Sequence, residues 1–90
     1  MKTIYKYELE VTHIQRVFLP SDAEILAVQS QDHTPHIWAM VEPENKVEER
    51  VFEIFSTGQP IGEGMGVDRK YIGTFQLQGG TLVFHLFERL

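Results

Sequence analysis

Ninety residues, 42% hydrophobic and 23% charged, have the composition of one small globular domain spanning residues 1–90 and not of a disordered chain. Thirteen acids against eight lysines and arginines give a net charge of −5, which disfavours a nucleic-acid-binding surface. The absence of cysteine excludes disulfides and thiolate metal sites and fits a reducing cytoplasm.

The N-terminus, MKTIYKYELEV, alternates polar and apolar residues and has no continuous apolar core, so it does not read as a signal peptide. No apolar run approaches the ~20 residues of a membrane helix. Tyr5, Tyr7, Leu9 and Val11 alternate with Lys6, Glu8 and Glu10, which predicts a first strand with one buried face. Thr12-His13 reads as a turn. A second strand covers residues 14–19 and ends at Pro20, which cannot donate to a ladder. Ser21 to Glu24 has the spacing of a helix cap, but the β-prone segment after it predicts a turn leading to a third strand, residues 25–31.

Asp32-His33-Thr34-Pro35 is a turn composition. The run from His36 to Val41, apolar throughout after its first residue, predicts a central strand covered on both faces. Pro43-Glu44-Asn45 supplies the next turn, and residues 47–56 form a fifth strand, with Phe52 and Ile54 alternating against Glu49 and Glu53. Val51 and Phe55 complicate its second face. Strands three to five are expected to form a meander. Residues 57–68, TGQPIGEGMGVD, hold too many glycines for a regular element.

The chain ends in the clearest signal, YIGTFQL, QGGT, LVFHLFE. Paired glycines between β-prone runs predict a hairpin, because the favoured two-residue turns need positive φ. With Gly79 and Gly80 as the turn, Leu77 faces Leu82, Phe75 faces Phe84 and Gly73 faces Leu86. On the other face Gln76 meets Val83, Thr74 meets His85 and Ile72 meets Phe87. Gly73 leaves room for a neighbouring side chain or a bend. About seven short strands and no convincing helix argue for an all-β fold, a small antiparallel sandwich or partly open barrel.

The candidate chemistry is thin. Gly62, Gly64 and Gly66 could let a backbone approach a phosphate, with Arg50, Arg69 and Lys70 as anion contacts. No helix follows that loop and Glu63 has the wrong charge, so a plain connection is the stronger reading. His33 and His36 beside Asp32 lack a further metal ligand. His85 beside Thr74 reads as a hydrogen-bonded cross-strand histidine. Glu42, Glu44, Glu48 and Glu49 read as a solvated hairpin end. No serine lies in a nucleophile elbow, and no catalytic residues, metal or cofactor are expected. Tyr5, Tyr71, Ile72 and Phe87 are surplus aromatic and apolar surface. Ile72 and Phe87 together are expected to close a barrel or to meet another chain, making a homo-oligomer.

The opening MKTIYKYELEV, the segment IWAMVEPENKVEERVFEIFSTGQPI and the ending YIGTFQLQGGTLVFHLFE resemble a family of small uncharacterised proteins encoded by bacteriophages and prophages. The resemblance implies a phage-derived accessory protein in the bacterial host cytoplasm and carries over no catalytic residue. The expected function is non-enzymatic binding, with a host protein as the favoured partner and neither nucleic acid nor membrane. A small-molecule or nucleotide sponge and a minor virion component are the alternatives.

Overall fold

In the computed structural model, which describes residues 1–62 and 66–90, the chain is all-β. Seven strands run in order: β1 Thr3–Glu8, β2 Ile14–Pro20, β3 Glu24–Gln31, β4 Thr34–Val41, β5 Val47–Ser56, β6 Arg69–Leu77 and β7 Leu82–Arg89. They form two antiparallel sheets, ordered β1-β4-β3 and β2-β5-β7-β6, which do not close into a barrel. No helix among the described residues is long and apolar enough to cross a membrane.

The alternation of side chains explains the core. Val28, Ile37, Ala39 and Val41 of the three-stranded sheet pack in one cluster with Phe52, Ile54, Phe75 and Leu86 of the four-stranded sheet. Leu9, Leu19 and Ala23 complete the cluster. Fully burying side chains such as Ile37, Phe52 and Leu86 contributes roughly 1.5–3 kcal/mol each. The even-numbered residues of β4, His36, Trp38 and Met40, face the other side, where Trp38 and Met40 stay half-exposed. The strand is central, as its apolar run predicts, but only one of its faces is closed off.

The sheets meet along β3 and β6. The Ser30 hydroxyl donates to the Gln76 carbonyl, and a Cβ placed on Gly73 would lie 2.9 Å from Val28 Cγ1. The space left by Gly73 is therefore filled by a side chain of the opposite sheet. A second tie crosses from β5 to β7 and to the start of β3. Arg50 donates two hydrogen bonds to the Glu88 carboxylate, at 2.5 and 2.8 Å, and a third to the Ala23 carbonyl at 2.5 Å. The hydrogen bonds to Glu88 raise the Arg50 guanidinium pKa above its ordinary value against the opposing effect of burial.

Two expectations are corrected. Strands β3, β4 and β5 do not form a meander: β5 leaves the sheet of its predecessors and pairs with β2 and β7. Its centre is apolar on both faces and suits an interior strand, and the four-stranded sheet provides two neighbours for it. The terminal hairpin keeps its register from Gly73↔Leu86 to Leu77↔Leu82, and the Phe75 and Phe84 rings stack with centroids 5.5 Å apart. Its turn is longer by one pair than two glycines require. Gln78, Gly79 and Gly80 all take positive φ, in a 3₁₀ turn closed by the Thr81 amide on the Gln78 carbonyl at 3.2 Å. At its other end a bulge at Ile72 sets Tyr71, and not Ile72, against Phe87.

Candidate functional site

The bulge separates the two residues expected to form an interface. Ile72 packs against the core, while Phe87 stands on the outer face of the four-stranded sheet between Phe55 and Tyr71, with centroid distances of 5.7 and 5.3 Å. Alternation separates the expected anion contacts in the same way. Arg69 points to the outer face, and Lys70, its neighbour along the strand, points to the other. Lys70 lines a cleft of about 280 Å³ with Ile25, Arg50, Ile72 and Glu88 at one margin of the core. There the Arg50 fork is already committed to Glu88 and Ala23. Gly62 and Gly66 are exposed, and Gly62 offers its carbonyl to Arg69 at 3.2 Å. Gly64 lies outside the described residues. His36 is buried on β4, where its Nδ1 donates to the Thr34 carbonyl at 2.9 Å; His33 lies in the β3–β4 turn.

The outer face of the four-stranded sheet holds a denser arrangement. Its centre is Glu53 of β5, a carboxylate with 0% exposure. A carboxylate without water needs partners. Arg69 Nε donates to it at 2.6 Å, Arg89 Nε lies 3.3 Å away, and His13 Nε2 lies at 4.0 Å. Arg89 Nε satisfies the distance for an ion pair but is misaligned for a hydrogen bond, so this buried N–H has no hydrogen-bond acceptor among the described residues. The Arg69 guanidinium also lies over the Phe55 ring, 5.6 Å from its centroid.

Beside this ionic centre runs a chain of hydrogen bonds across β6, β7 and the start of the long loop. The Thr57 hydroxyl lies 3.3 Å from the Val83 carbonyl and 2.8 Å from His85 Nε2. His85 Nδ1 lies 2.9 Å from the Thr74 hydroxyl, which in turn shares a hydrogen bond of 2.5 Å with the Tyr71 hydroxyl. His85 is the hydrogen-bonded cross-strand histidine that the sequence suggests, with both ring nitrogens engaged.

Around these groups the face offers apolar and cationic surface. Tyr71 is 54% exposed and Phe18 61%. Arg16, opposite Val51 on β2, is held only loosely by Glu49 at 3.5 Å, and Arg16 and Arg89 line a shallow cleft of about 230 Å³ with Glu49, Val51 and Ile14. The strands of this face thus carry Arg16, Arg69 and Arg89 against Glu49 and Glu53. The rest of the chain keeps the other five cations and eleven acids. A surface of this kind suits docking, with guanidinium forks for carboxylates beside aromatic rings.

Sequence reasoning picked out Tyr71, Phe87, Arg69 and His85 but not Glu53, Arg89 or Arg16. The available signal was Val51 and Phe55 on either side of Glu53 at the same face. Apolar residues two positions before and after an acid mark a partly covered face.

No curated protein and no solved structure matches the chain. Residues 1–90 match a family described as a domain of unknown function, DUF7352, over their whole length, and the chain belongs to that family.

Proposed function

We propose that the protein is a non-enzymatic accessory protein of phage or prophage origin that acts by binding a bacterial host protein in the cytoplasm. The docking surface is the outer face of the four-stranded sheet. One observation carries this reading: on a chain of net charge −5, that face alone has more arginines than acids, set among exposed aromatics. Its charge is complementary to an acidic partner segment that also presents an apolar side chain to Tyr71 and Phe87. Arginine and tyrosine are the residue types that dominate such contacts. The phage origin rests on the likeness of the opening, central and closing segments to small phage proteins.

The test is retention of a host protein from bacterial lysate, compared with a variant of the face. Arg16→Glu with Tyr71→Asp changes two exposed side chains and leaves the core alone. The wild-type protein is expected to hold one host protein stoichiometrically, less tightly as salt rises, and the variant to lose it. Equal retention by both, or no retained protein in any host, refutes the reading.

A further inference from the structure

The core face of the three-stranded sheet does not end where its cover ends. On β4, Ile37, Ala39 and Val41 are fully buried, and their cross-strand neighbours on β1 are Tyr7, Tyr5 and Thr3. These β1 residues share the core-facing side, yet Tyr5 remains 44% exposed and Thr3 is exposed. Tyr5 and Tyr7 pack edge to face, centroids 6.5 Å apart, at the margin of the sheet. Beyond them β1 has no strand neighbour among the described residues, since it pairs with β4 alone. Its edge has no proline and no bulge, two of the devices that blunt an open edge, and its charges are the two of opposite sign on Lys6 and Glu8.

We propose that β1 pairs antiparallel with β1 of a second copy, across a two-fold axis at Tyr5, so that the two three-stranded sheets join into one of six strands. A two-fold perpendicular to the sheet keeps core-facing residues on the same side, which brings Tyr5 against Tyr5 of the second copy and Thr3 against Tyr7. On the other face Ile4 meets Lys6. Lys2, the residue just before the strand, comes opposite Glu8 at each end, giving two opposite-charge pairs for one contact. Alternation allows only registers that shift by two residues. The shift to one side opposes Lys6 with its own copy. The next shift pairs Lys6 with Glu8 but leaves only residues 6–8 of the strand overlapping. The edge of β2 is the competing site, but Arg16 is the only charged residue of that strand, and its ladder ends at Pro20, which cannot donate. Charge complementarity therefore selects β1 and selects the register.

The mass in solution tests this, followed through dilution. The protein is expected to be a dimer of twice 10.4 kDa. Tyr5→Lys opposes two cations at the axis and is expected to raise the dissociation constant at least about tenfold. Tyr5→Cys is expected to cross-link on oxidation, because residues directly opposed have Cβ atoms within about 5.5 Å. Ile4→Cys, which faces Lys6 of the other copy, is not. Glu8→Lys weakens the dimer and Lys2→Glu added to it restores the dimer, a readout that loss of folding cannot mimic. A monomer at all concentrations, cross-linking through position 4 in place of 5, or no rescue by the charge swap overturns the proposal. The edge is separate from the docking face, so Arg16→Glu with Tyr71→Asp leaves the mass unchanged, and failure of host capture is distinct from failure of this pairing.

Discussion

Glu53 carries its charge where no solvent reaches it, and the two arginines beside it are cross-strand neighbours of each other, Arg69 opposite Arg89. The carboxylate is what allows two like charges to sit side by side on adjacent strands. Glu53→Gln keeps the volume and removes that compensation. The expected cost is about 3 kcal/mol, near the low end for a broken buried pair, because Arg89 is partly exposed and contributes less. A urea midpoint comparison measures it, and Arg69→Met added to Glu53→Leu is expected to recover most of the loss. A change below about 1 kcal/mol in Glu53→Gln would show that the centre is not a structural lock. In EERVFEIF only Val51 and Phe55 on the same face hint that Glu53 is covered, and nothing there names its partners. Its burial is decided by Arg69 and Arg89, which are distant in sequence and arrive only with β6 and β7. Thr74 and His85 were legible because both lie in one hairpin whose turn fixes their pairing.

Hairpin geometry is local, and this explains which parts of β6 and β7 the sequence predicted. Five pairs nearest the turn follow from the paired glycines and the alternation. Past Gly73 the register slips at Ile72: the glycine marks a place where a bend is allowed but does not say that a residue is extruded there. The consequence is a change of face: Ile72 turns inward and Tyr71 takes its place against Phe87. Gly73 is the hinge of this arrangement. Its missing Cβ admits Val28 Cγ1, which would lie at 2.9 Å, a distance that no ordinary carbon contact reaches. Gly73→Ala must push β3 from β6 or distort the bulge. It is expected to destabilise the fold by roughly 1–3 kcal/mol, as overpacking does, with Val28→Ala restoring part of the loss in the double variant. Thermal melts of the four proteins give the coupling, and additive losses would place Val28 elsewhere than against the glycine.

At the scale of the molecule the strands were predicted far better than their neighbours. Periodicity and turn residues mark where each strand runs, but the choice of sheet for β5 depends on which partners are left for a strand that is apolar on both faces. The result is two sheets, three strands and four, that differ in size and share one core. They are tied by Arg50 to the Ala23 carbonyl, by Asn45 Nδ2 to the Ser21 carbonyl at 2.9 Å and by Ser30 to Gln76. Neither sheet has a separate core, because Ile37 and Val41 on one side and Phe52 and Leu86 on the other belong to the same cluster. The two sheets are therefore expected to unfold together. Trp38, the single tryptophan, sits on the three-stranded sheet and reports on it alone, whereas far-UV circular dichroism reports on both. In urea the two signals are expected to give the same midpoint and slope at any one protein concentration. A fluorescence transition that precedes the loss of β signal would mean that β1, β3 and β4 detach while β2, β5, β6 and β7 hold, and the ties along β3 and β6 would then be too weak to make the molecule one cooperative unit.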